Sequence, residues 1–206
     1  MPYSPERKCE TRRKILESGR RLFNKKGFSE VSIDEVMENA GLTHGGFYRH
    51  FRDKTDLYVE VIRWFLCPEA PKSWQRKSRD PAAEHKPRGQ RVVDAYFSRD
   101  HFNDREGCCP LITQIADVAR GSDEMKGAYR EVLEKLVDIF QSDLADPEKH
   151  QRALAMVALC VGGMIVARCV DDPVLADNLR RAAHQQALQT AGWSSPPSDR
   201  RGAISR

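Results

Sequence analysis

From Thr11 to Leu66 and again from Arg88 to Ala191 the apolar residues of this chain recur three and four positions apart, and no strand pattern appears anywhere. A period of 3.6 buries one face of an α-helix, whereas a half-buried strand needs a period of two. The chain is therefore expected to be all-α, with about nine helices. Its 206 residues are enough to bury a core without disulfide or metal staples.

The helix ends are marked in the sequence. Thr11 to Lys26 reads as an amphipathic helix on Ile15, Leu16, Gly19, Leu22 and Phe23, and Gly27 ends it as a left-handed cap. Ser32 and Glu35 form a capping box ahead of Ile33, Val36, Met37 and Ala40, and Gly41 closes that short helix. Thr43 can cap a third helix reaching about Phe51, and Asp53 a fourth carrying Leu57, Tyr58, Val61, Ile62, Phe65 and Leu66. Cys67 to Gly89 has four prolines and no sustained period, which predicts a linker or long loop. Helices resume near Arg88 to Ser98, from Pro110 through Ala119, and from Ser122 to about Ala145. Asp146-Pro147-Glu148 and Asp172-Pro173 each set a carboxylate before a first-turn proline, opening the last two helices. The earlier of these is uncharged from Ala153 to Ala167, too short to span a bilayer, so it is expected inside protein.

Charge is uneven along the chain. The net is +4, yet residues 1–30 carry nine Lys and Arg against four Glu, and residues 101–190 carry ten against fourteen acidic residues. A basic front and an acidic back fit an anionic partner at one end, and also fit ordinary solvated helix faces. The first ten residues lack the apolar core of a signal peptide. The six cysteines match no zinc-finger or Cys-x-x-Cys spacing, so a reducing cytoplasm, thiol cysteines, no metal and no cofactor are expected. No membrane partner is expected either.

Ser32 to Phe51 reads as helix, Gly-Leu turn, helix, the layout of a helix-turn-helix. Phe47 and Phe51, four apart, pack inward. That leaves Thr43, His44, Gly46, Arg49 and His50 outward or sideways. Gly45 and Gly46 each cost a helix about 1 kcal/mol relative to Ala. The pair serves either close approach of the backbone to a duplex or tight packing against the neighbouring helix. Arg49 can donate to a guanine edge or a phosphate, or form a surface ion pair. Tyr48 and Lys54 are placed to donate to phosphates, and His50 either does likewise or packs beneath the turn. No G-x-S-x-G, Walker, HExxH or paired-carboxylate motif is present, so no enzyme activity is expected.

Gly27-Phe28, Val31-Ser32-Ile33, Ala40-Gly41-Leu42, Gly45-Gly46-Phe47-Tyr48-Arg49-His50-Phe51 and Lys54-Thr55-Asp56-Leu57 together resemble the amino-terminal domain of the tetracycline-repressor (TetR) family. Gly107-Cys108-Cys109-Pro110-Leu111 is similar to one subgroup of it. The resemblance implies a transcriptional regulator, usually a repressor, that binds double-stranded DNA at a palindromic operator as a homodimer. It implies a helix-turn-helix domain over 1–52, an effector-binding and dimerisation domain over 53–192, and a flexible tail over 193–206. Carried over, Thr43, His44, Gly45, Gly46 and Arg49 face bases, and Ser32, Tyr48, His50 and Lys54 bind or position phosphate. Gly46 stands where the family often has a small hydroxyl residue or alanine, which moves base reading onto Thr43, His44 and Arg49.

A dimer seam is expected on the last two helices, at Leu154, Val157, Val161, Gly162, Met164, Leu179 and Ala183, with Gly162-Gly163 permitting close approach. Candidates for an effector pocket are Trp64, Phe65, Tyr96, Phe97, His101, Ile115, Tyr129, Leu133 and Phe140, each of which is also a plausible core residue. Cys108 and Cys109 precede a helix start with Arg105 nearby. That setting lowers a thiol pKa and makes either a redox or electrophile sensor, unless it is simply buried. Metal binding with His101 follows no ligand spacing rule. The alternative overall is a helical thiol sensor or small-molecule binder with no operator of its own.

Overall fold

A computed structural model describes residues 5–67 and 83–193. Among these the chain is all-helical: α1 (Pro5–Lys26), α2 (Ile33–Asn39), a 3₁₀ helix (His44–Arg49), α3 (Lys54–Trp64), α4 (Arg88–Tyr96), α5 (Arg99–Asn103), α6 (Pro110–Thr113), α7 (Ile115–Arg120), α8 (Asp123–Gln141), α9 (Lys149–Arg168) and α10 (Pro173–Ala191). Most of the expected linker, and the tail beyond Trp193, lie outside the described residues. Trp193 itself is half-buried on the core.

The caps act where the sequence put them. Ser32, Asp53 and Ser122 each accept from the backbone N–H three residues on, and Asp172 accepts from Val174 and Leu175. Gly27, Gly41 and Gly192 close helices at positive φ, a conformation other residues rarely adopt. Asp146 differs: its carboxylate accepts from Glu148 N in a separate turn, and α9 starts only at Lys149, so Pro147 lies outside the helix. The expected helix from Pro110 to Ala119 is broken at Gln114, whose φ of −107° and ψ of 3° leave the helical region. Buried Gln114 and its neighbour Thr113 both donate to the Asn24 side chain on α1, which holds the bend there.

Two layers of contact carry the fold. In the first, α1, α2 and the 3₁₀ helix close over Ile15, Phe23, Val36, Met37, Phe47, Phe51 and Leu57, all buried. Each such side chain contributes about 1.5–3 kcal/mol by leaving water. Gly19 lets α3 come close, since a Cβ there would sit 3.3 Å from Leu57 and 3.4 Å from Val61. In the second layer α3 packs on α8, and α9 lies between α8 and α10.

By length and composition α9 is apolar enough to cross a membrane, with a mean hydropathy of 1.5. One face, with Met156, Val157, Cys160, Val161 and Met164, is buried in the subunit. The seven residues expected at the seam therefore do not all face outward. Val157, Val161 and Met164 are core, and Leu179 and Ala183 are half-buried within the chain. A Cβ on Gly163 would collide with Ala183, so Gly163 serves the α9–α10 crossing inside the subunit. Gly162 has open space beside it, in line with exposed Leu154, Ala155, Ala158 and Val166. The other half of α9 is thus exposed and not enclosed, contrary to the all-round burial expected of it.

Candidate nucleic-acid interface

Positive φ at Gly41 turns the chain sharply out of α2, and Leu42 N donates back to Met37 O at 2.9 Å. The segment that follows is a 3₁₀ helix and not the three-turn α-helix expected. Gly46 N donates to Thr43 O, three residues back, at 3.0 Å. Thr43 occupies the cap position without a side-chain cap bond, and two successive glycines favour no α turn. Phe47 pins the segment: it is fully buried, and its ring lies 5.6 Å from that of Phe51.

The outer edge is open. Thr43, His44, Gly45, Tyr48 and Arg49 are exposed, and Arg49 makes no side-chain hydrogen bond or ion pair among the described residues. A Cβ on Gly45 would meet nothing within 4 Å, and one on Gly46 would meet only Met37 Cε at 3.5 Å, an ordinary contact. Packing therefore does not require either glycine, which favours the close-approach alternative. Replacing Gly45 with alanine is expected to raise the melting temperature slightly, by up to about 1 kcal/mol of stability, while weakening DNA binding. Thermal unfolding and gel shift on the same variant check this; a gain or no change in affinity would return the glycine to a structural role.

Beside this edge, Lys8, Thr11, Met37, Leu42, Thr43, Gly46, Arg49 and His50 line a concavity of about 540 Å³ between α1 and the 3₁₀ helix. Several side chains face differently from expectation. Ser32 is spent on Glu35 N at 3.1 Å. Lys54 is turned inward: its Nζ donates to Phe28 O and Val31 O, each at 3.0 Å, over the Phe28 ring. His44 Nδ1 pairs with the Asp34 carboxylate. His50 has a buried, unpartnered Nδ1, and burial followed by the charges of Arg12, Lys8 and Arg49 holds its pKa below the ordinary value. A neutral, packed His50 suits the supporting role better than the phosphate role. Sequence reasoning missed Asp34 and Arg12, which orient this surface, because neither stands out by period or motif.

The expected effector residues are mostly core. Tyr96, Phe97, His101 and Phe140 are fully or almost fully buried, Trp64 is 8% exposed, and Phe65, Tyr129 and Leu133 are half-buried. Ile115 is corrected: it is 38% exposed on α7 and faces away from the interior. The thiols also need correction. Cys108 and Cys109 are both buried, and burial pushes both pKa values up. The helix end and Arg105 do not offset this desolvation. The cation on Cys108 is instead Arg168, whose Nη1 donates to Sγ at 3.0 Å, with His101 Nε2 at 3.5 Å.

His101 Nδ1 contacts Tyr96 O at 2.6 Å, and burial pulls its pKa down to about 4. The unfolded chain binds a proton near pH 6.5. Between pH 6.5 and 4 the unfolded state therefore holds more protons, and stability falls with falling pH, by about 3 kcal/mol in total. His101→Gln should flatten this acid limb in denaturant titrations at pH 7, 5.5 and 4.5; an unchanged limb would contradict a buried neutral His101.

The comparisons with known proteins agree with this geometry. Residues 15–61 match the model for bacterial regulatory proteins of the tetR family. The HTH-type transcriptional regulator AcrR of Shigella flexneri is 46% identical over 52 residues, 25% of this chain and 24% of that protein. The uncharacterized HTH-type transcriptional regulator YerO of Bacillus subtilis is 33% identical over 57 residues, 28% of this chain and 20% of that protein. The match thus spans about a quarter of these curated relatives. The likeness in fold runs further. E. coli NemR in its reduced form superposes with a TM-score of 0.69 at 18% identity, covering 87% of this chain and 96% of that one. SCO4454, a TetR-family transcriptional regulator from Streptomyces coelicolor, gives 0.63 at 19% identity, covering 89% and 96%. Residues 15–61 thus match the tetR family in sequence, and the helical body they are set on shares its fold with solved regulators of that family.

Proposed function

We propose that the chain is a sequence-specific DNA-binding transcriptional regulator that reads an inverted repeat as a homodimer. The observation that carries this is the outer edge of the 3₁₀ helix, where an uncommitted guanidinium at Arg49 stands beside two glycines that packing does not need. A guanidinium donates in a fork that fits guanine N7 and O6, and a bare backbone lets it reach the groove floor. One such head reads only a few base pairs, so two heads one helical turn apart are needed for a useful operator. The exposed strip of Leu154, Ala155, Ala158 and Val166, with half-buried Gly162 in line and Val174 and Leu175 of α10, suits a self-complementary four-helix seam.

In this reading the protein acts as a repressor in the bacterial cytoplasm. It is released by an effector acting on the carboxy-terminal helices, either a small molecule or an oxidant or electrophile. The second kind of trigger has Cys108 as its target, because Arg168 donates to its sulfur and works against the burial that keeps the thiol protonated, whereas Cys109 has no such contact with a cation among those described. Peroxide or an electrophile applied to Cys108→Ser and Cys109→Ser separates the two: unchanged release in both excludes the thiols. The reading as a whole is tested by gel shift at moderate salt, using the duplex upstream of the chain's own gene against a scrambled duplex. A complex that resists scrambled competitor is expected; equal competition by both duplexes would defeat it.

A further inference from the structure

Nine cations crowd the first thirty residues, and on sequence grounds each is a candidate phosphate ligand. Arg12 is used otherwise. Its Nη1 donates to the His50 carbonyl at 2.6 Å, its Nη2 to Glu60 Oε2 at 2.7 Å, and its guanidinium carbon lies 4.3 Å from the centre of the Phe51 ring. One side chain from α1 thus holds the exit of the 3₁₀ helix, the aromatic residue beneath it and α3.

The arrangement answers a specific need. The 3₁₀ helix has no side-chain cap at its start and two glycines inside, so local propensity holds it weakly. His50 N bonds back to Phe47 O at 2.8 Å, but the His50 carbonyl lies past the last helical residue and takes its bond from Arg12. Arg49 is the residue immediately before that carbonyl, so the clamp fixes the backbone from which Arg49 projects.

We propose that Arg12 is a positioning residue for sequence recognition: it sets the angle of the Arg49 edge and does not itself bind DNA. This rests on the DNA-binding reading and names a determinant of specificity within it. Lysine cannot replace it, because an ammonium lacks the planar fork that spans His50 O and Glu60 together.

The test uses the full chain and two probes: a duplex selected from a random library by the wild-type protein, and the same duplex scrambled. Arg12→Lys keeps the charge and breaks the fork. Its affinity for the selected duplex should fall about tenfold or more, the loss of a charge-assisted bond. Its affinity for the scrambled duplex should stay put, and the slope of log affinity against log salt should not change. Glu60→Gln, on α3, loosens the same clamp without altering Arg12 and should move specificity in the same direction by a smaller factor. A phosphate contact would behave differently: Arg12→Gln would then lower the salt slope by about 0.9 per head on both duplexes and leave their ratio intact. That result, or an unchanged ratio in both Arg12→Lys and Glu60→Gln, overturns the proposal. A wild type that selects no duplex and does not discriminate defeats the DNA-binding reading and the clamp's role with it. A wild type that discriminates as well as its variants defeats the clamp alone.

Discussion

Arg49→Ala is expected to abolish discrimination between operator and scrambled duplex while leaving the fold intact. A bidentate contact to a base is worth about 1–3 kcal/mol, and a homodimer loses it twice, so affinity for an inverted repeat should fall at least ~30-fold. The subunit should not notice, since Arg49 is exposed and bonded to nothing among the described residues. Equal melting temperatures, with binding measured by gel shift at one fixed salt concentration, separate recognition from stability. If the variant binds its operator as tightly as wild type, Arg49 reads no base and the site is wrongly assigned.

The second large effect is on assembly. Gly162 and Gly163 are adjacent, yet Gly163 faces Ala183 of α10 and Gly162 faces open space. Gly162→Glu meets open space within the subunit and puts two like charges across the seam, where unpaired buried charge costs several kcal/mol. It should sediment as a monomer with an unchanged far-ultraviolet spectrum, and should lose operator binding because the two heads are no longer linked. Gly163→Ala drives its new methyl into Ala183 and towards Phe97. That variant should lower the melting temperature through the α9–α10 crossing. A dimeric Gly162→Glu would place the interface elsewhere on the molecule.

The helices and most of their caps were legible because capping and apolar period are local properties. Ser32, Asp53, Ser122 and Asp172 needed only their own neighbours to be read. What could not be read depended on packing between distant segments. The break at Gln114 follows from bonds to Asn24, ninety residues away. The division of α9 into a core face and an exposed face is invisible in a run of fifteen uncharged residues, which is why Val157, Val161 and Met164 belong to the core and not to the expected seam. The thiols showed the same limit. A helix start and a nearby arginine argue for a reactive cysteine, but burial at Cys108 and Cys109 outweighs both. At the interface, residue types identified the exposed edge correctly, whereas the inward use of Lys54 and Arg12 depends on carbonyls that only the folded backbone brings into reach.

The most direct measurement is a footprint of the protein on the DNA flanking its own gene, made with wild type and Arg49→Ala side by side. A protected inverted repeat is expected, its half-sites centred one helical turn apart, about 34–36 Å, with protection lost in the variant. Protection of a single asymmetric stretch, or none that Arg49→Ala removes, would contradict it.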